Sequence, residues 1–182
     1  MNLHYVLGQA GSGKSTFIEK HFPKDDFILY NVGEILRGMF SCMKSRQDSK
    51  NVWSFANPIV YSMFKHCCKV SRDNDIPLVS DGLPRNSKQL MTAHRYLADF
   101  SRKVGVNVEV HILHINREEQ MRRIEERNGS LDEYQLDRIQ QSRRDLEGVI
   151  NAISPLLNSP AVRYNLKWYK QEDGEFILRE TD

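Results

Sequence analysis

Short apolar runs alternate with stretches of helical spacing along this chain, so strands and helices are expected to take turns. Strands are predicted at 2–7, 27–32, 76–80, 106–115 and 162–169, and helices near 14–21, 34–44, 55–70, 87–103, 117–127 and 132–153. Turn chemistry agrees at several junctions: Pro77 opens the third strand, Pro84 follows it, Asn86 is placed to cap the next helix, and Asn158-Ser159-Pro160 parts the last helix from its strand. The pattern implies an α/β fold, a parallel sheet of about five strands with helices on both faces. Beyond the fifth strand, Asp173-Gly174 between two possible strands signals a C-terminal β-hairpin. Residues 44–54 break the pattern with mostly polar side chains and are expected to be a mobile loop.

The first apolar run, Leu3 to Leu7, leads into Gly8-Gln9-Ala10-Gly11-Ser12-Gly13-Lys14-Ser15, which meets every fixed position of the G-x-x-x-x-G-K-[ST] phosphate loop. Glycines let backbone N–H groups turn inward around phosphate oxygens, and the following helix aims its positive end at the anion. Lys14 is placed to reach the β and γ oxygens, and the Ser15 hydroxyl to meet Mg²⁺. Gly8, Ala10, Gly11, Ser12, Gly13, Lys14, Ser15 and Thr16 are therefore the candidate ATP-binding positions. In open α/β sheets ligands sit beyond the carboxyl ends of strands, which directs attention to Asp81-Gly82-Leu83-Pro84-Arg85 after the third strand. Asp81 is a candidate Mg²⁺ partner through water, and Arg85 a candidate two-pronged phosphate ligand.

Length and charge narrow the classes. A chain of 182 residues suits one domain, 1–182, and a net charge of +2 argues against a strong nonspecific grip on nucleic acid. No apolar run nears the ~20 residues of a membrane span, so a cytoplasmic protein without membrane attachment, expected to be monomeric, is the reading. Cys42, Cys67 and Cys68 lack C-x-x-C spacing and read as reduced structural thiols. The six histidines (His4, His21, His66, His94, His111 and His114) read as structural or surface positions.

The phosphate loop, the Asp-Gly-Leu-Pro-Arg segment and Arg122-Arg123-Ile124-Glu125-Glu126-Arg127 occur in the order in which the adenylate kinase group of nucleoside monophosphate kinases carries its phosphate loop, Asp-Gly-Phe-Pro-Arg motif and lid arginines. The chain resembles that group over about residues 1–153. The resemblance implies ATP and Mg²⁺ as cofactors, small nucleotides as substrates, an acceptor-binding insertion at about 33–70 and a short lid at about 127–136. It also implies roles. Arg123 lies on the donor base and Arg127 on its phosphates, while Gly33, Arg37, Phe55, Ile59, Gly82, Arg85 and Gln89 serve the acceptor. Gln89 matches the glutamine that contacts an acceptor adenine, which favours AMP or dAMP. Lys14, Arg85, Arg127, Arg138 and Arg143 are the candidate catalytic cations. Val32-Gly33-Glu34-Ile35-Leu36-Arg37 departs from Thr-Gly-Asp-x-Leu-Arg at Val32 and Glu34. Those departures fall where the acceptor would lie, so a modified or polymeric nucleotide acceptor stays open. A nucleotide-binding switch also stays open, although the guanine-reading Asn-Lys-x-Asp is absent.

Overall fold

β1 (Asn2–Gly8) alternates so that Leu3, Tyr5 and Leu7 enter one core cluster and Val6 another on the opposite face of the sheet. The computed structural model describes residues 1–23, 25–39, 46–172 and 175–179; the side chains at 37, 39, 46–55 and 172 lie outside that description. Around β1 the described chain runs α1 (Lys14–His21), β2 (Ile28–Asn31), α2 (Val32–Met39), α3 (Arg46–Asn74), β3 (Leu78–Asp81), α4 (Ser87–Ser101), β4 (Asn107–His114), α5 (Arg117–Asn128) and α6 (Glu133–Ile153). A 3-10 turn at Ser154–Asn158 then leads to β5 (Arg163–Glu172) and β6 (Glu175–Arg179).

The described strands form a six-stranded sheet in the order β2-β3-β1-β4-β5-β6, parallel except for the antiparallel pair β5-β6. The parallel sheet with a C-terminal hairpin is thus as the sequence pattern implied, while Asp173 and Gly174 themselves lie outside the described residues. Helices α3, α4 and α6 cover one face with fully buried Phe64, Leu90, Leu97 and Ile153 among others, each contributing roughly 1.5–3 kcal/mol. On the other face α1 brings Phe17 and Ile18 against Val6, Val79, Leu113 and Tyr169.

The pattern misled at the polar stretch 44–54. Lys44 and Ser45 lie outside the described residues, but 46–54 form the first turns of α3, a 29-residue helix that carries Pro58 inside it. Arg, Gln and Lys are good helix formers, and a polar helical segment offers no apolar stripe to reveal it. The helix expected over 34–44 begins two residues earlier, where Asn31 Oδ1 accepts from the Glu34 N–H at 3.0 Å and closes the first turn. Cys68 is buried and Cys67 half-buried, both free, and burial pushes the Cys68 thiol up to about 12, so it is unreactive at neutral pH. No helix among the described residues is long and apolar enough to cross a membrane.

Candidate functional site

Strand register decides where the site lies. Val6 of β1 pairs with Asp81 of β3, and Asn31 of β2 pairs with the same Asp81, so the loops after three adjacent strands emerge at one level. A cleft of about 410 Å³ opens there. Gly8, Ala10, Gly11, Lys14 and Ser15 line it from the phosphate loop, Asn31 and Gly33 from the end of β2, Asp81, Gly82 and Arg85 from the end of β3, and Arg127, Arg138, Gln141 and Asp145 from α5 and α6.

The loop is shaped by two glycines for different reasons. A Cβ at Gly8 would lie 2.3 Å from Ser12 Oγ and 3.1 Å from the Leu113 carbonyl, so only glycine lets the loop return over β4. Gly13 caps α1 at φ 80°, a left-handed conformation that costs other residues roughly 1–2 kcal/mol. No side chain caps α1, and its first turn holds no acidic residue, so its leading N–H groups are left for an anion. Lys14 donates from Nζ to the carbonyl oxygens of Gly8 and Gln9, 3.1 Å each, folded back along the loop. Burial pushes its pKa below the ordinary lysine value; Asp81 draws it back up, and Arg85 and Arg127 push it further down. An incoming polyphosphate would relieve that strain on the charge.

Behind the loop lies a polar scaffold that sequence reading did not find. Gln120, fully buried on α5, donates from Nε2 to the Ala10 carbonyl at 2.9 Å and accepts at Oε1 from Arg143 Nε, also at 2.9 Å. A second Arg143 nitrogen donates to the Ile115 carbonyl at 3.2 Å, and the Ala10 N–H reaches Ser142 Oγ at 3.4 Å. Arg143 is therefore fixed behind the phosphate loop and does not line the cleft, whereas Arg138 on the same helix does and lies over the Tyr134 ring. Residues 23 positions apart in sequence carry no local signal of this contact.

Arg127 lines the cleft with Nε on Asn128 Oδ1 at 3.3 Å. Arg123 does not; it is held by Glu119 at 2.6 Å and by Gln171 of β5 at 2.5 Å, which joins α5 to the hairpin. Asp81, 8% exposed, accepts from Asn31 Nδ2 at 3.3 Å, and Arg85 donates to the Gly82 carbonyl at 3.1 Å. Gln89 stands outside the cleft lining: its Oε1 accepts the Arg85 N–H at 2.8 Å, and its own N–H goes to the Asn86 cap. Ser12 is buried with its hydroxyl unpartnered, Thr16 is exposed outside the lining, and Ile59 is exposed on α3. The Arg37 and Phe55 side chains lie outside the described residues. Ser15 and Asp81, hard oxygen donors on two walls of one cleft, fit a hydrated Mg²⁺ between them.

A phosphate loop between β1 and α1, on a parallel sheet, with cations converging from α5 and α6, defines a P-loop nucleotide-binding domain of kinase-like type. The family model that matches is the AAA domain, over residues 3–146, and the chain belongs to that family, which includes many P-loop kinases. No curated relative matches the chain.

Proposed function

We propose that this protein is an ATP-dependent, Mg²⁺-requiring nucleoside monophosphate kinase, with AMP or dAMP the favoured acceptor. The observation that carries the reading is that the phosphate loop, Asp81, Arg85, Arg127 and Arg138 all line one cleft. Phosphoryl transfer between two anions asks chiefly for alignment and for cations around crowded oxygens. Lys14 and the N–H groups at the head of α1 hold the donor phosphates. Arg85, anchored to Gly82 at the end of β3, grips the acceptor phosphate from the opposite wall. Arg127 and Arg138 stabilise the group in flight. Ser15, and Asp81 through water, would hold Mg²⁺, which would supply charge neutralisation at the donor oxygens. No general base is needed, because the attacking phosphate oxygen is already ionised.

A second reading has its own observation: the Gln89 carboxamide oxygen is committed to the Arg85 backbone, away from where an adenine would be read. That favours a looser acceptor choice, extending to a modified nucleotide or the terminus of a polynucleotide. A coupled ADP-release assay across AMP, CMP, UMP, GMP, their deoxy forms and a DNA oligomer separates the readings. Turnover with AMP or dAMP well above the others supports the first, the oligomer alone supports the second, and ADP release without any acceptor refutes both.

A further inference from the structure

The short α1 covers only the carboxyl-end half of its face of the sheet, through Phe17 and Ile18. Towards the amino ends of β1, β4 and β5 the same face carries polar side chains, with Phe22 packed edge-on against them. His4 pairs in register with Glu109, and His111 with Lys167, so four chemically active side chains share this face. His4 Nδ1 lies 3.1 Å from His111 Nε2 and 3.6 Å from Glu109 Oε2, and His111 Nε2 lies 3.7 Å from that oxygen.

We propose that His4 Nδ1, His111 Nε2 and Glu109 Oε2 form a binding site for a divalent transition-metal cation of the Zn²⁺ class, separate from the nucleotide cleft. A tetrahedral cation with bonds of ~2.0–2.2 Å sets its ligands ~3.3–3.6 Å apart, and the three measured edges bracket that range. Two imidazoles and one carboxylate select against Mg²⁺, which takes oxygen ligands in octahedral geometry. The other nitrogen of His111 faces the Tyr169 hydroxyl at 3.3 Å, the kind of outer contact that orients a ligating ring. An open cavity of about 300 Å³ borders His4 and Glu109 and is lined by Asn2, Asn107 and Asn165, which gives an entry path and a place for a water as fourth ligand. Burial holds both imidazoles below their usual pKa, so the neutral, ligating form is the resident one. Without the cation, the Lys167 ammonium neutralises Glu109 at 2.9 Å; 34% exposed, it has room to swing out when a metal enters. The cation would tie β1 to β4 beside the Phe22 ring, which packs edge-on against both imidazoles, 5.0 Å from His4 and 5.8 Å from His111.

The test uses the full chain stripped with a chelator, then titrated with Zn²⁺ by calorimetry and with Co²⁺ by visible absorption. One equivalent should bind with the absorption of a four-coordinate site, unaltered by saturating Mg·ATP. His4→Gln and Glu109→Gln, both at partly exposed positions, should each weaken binding ~100-fold or more, beyond the ~10–100-fold of an outer-contact change. Retained ATP binding in both variants reports that they are folded. Lys167→Met should bind several-fold tighter. Wild type that takes up neither cation, or uptake equal in wild type, His4→Gln and Glu109→Gln, as a thiol-borne site would give, overturns the proposal.

Discussion

Replacing Arg143 by alanine separates a scaffold role from a role in the transfer step. The guanidinium donates to Gln120 Oε1 at 2.9 Å and to the Ile115 carbonyl at 3.2 Å, and Gln120 is wholly buried. Hydrogen bonds from a charged donor contribute ~1.5–3 kcal/mol each, and a buried acceptor left unpaired loses most of that. Arg143 is only half-buried, so water recovers part of the loss, and about 2–4 kcal/mol remains. At ~2–4 °C per kcal/mol for a domain of this size, Arg143→Ala should lower Tm by roughly 4–16 °C. Gln120 also holds the Ala10 carbonyl, so the loop should loosen and kcat fall by about tenfold through misalignment. A cation acting directly on the transferring group would instead cost ~10³-fold or more with little change in Tm. Arg138→Ala is the matched control, since Arg138 lines the cleft: kcat should drop steeply while Tm holds. Calorimetric melting and single-turnover kinetics on both variants read the contrast. An Arg143→Ala protein with unchanged Tm and a thousandfold loss of kcat would refute the scaffold assignment.

Lys14→Ala should lose several powers of ten in turnover with any acceptor, measured by the coupled assay. Because burial lowers the Lys14 pKa, ATP affinity in wild type should decline with rising pH before the ordinary lysine value is reached, and Lys14→Met should abolish that bend in a calorimetric pH series. Arg85→Ala should raise the acceptor KM while ATP affinity, by equilibrium binding, stays within about twofold. Gly13→Ala should cost roughly 1–2 kcal/mol from the left-handed backbone, with further crowding because the new Cβ would lie 3.1 Å from Phe176; Tm and ATP affinity should both fall, and Phe176→Ala in the same chain should restore part of the ATP affinity.

What the sequence determined was everything whose physics is local. The phosphate loop is contiguous, its glycines and lysine set by the shape of one turn, and Asp81 and Arg85 follow a strand closely enough for a spacing rule to place them. Short apolar runs marked the parallel strands, because burial on both faces leaves a readable pattern, and the Asp173-Gly174 pair marked the terminal hairpin. Only the tertiary structure decided what long-range packing decides. Arg138 and Arg143 look alike in sequence, yet five residues along α6 turn one into the cleft and the other behind the loop onto Gln120. Gln89, assigned to a base by motif position, is committed to the Arg85 N–H, since a loop that turns so tightly needs an acceptor close by. His4, Glu109 and His111 sit more than a hundred residues apart at the extremes, and parallel pairing of β1 with β4 set them side by side. Register between strands is written in the sum of all their contacts, which no single window of sequence contains.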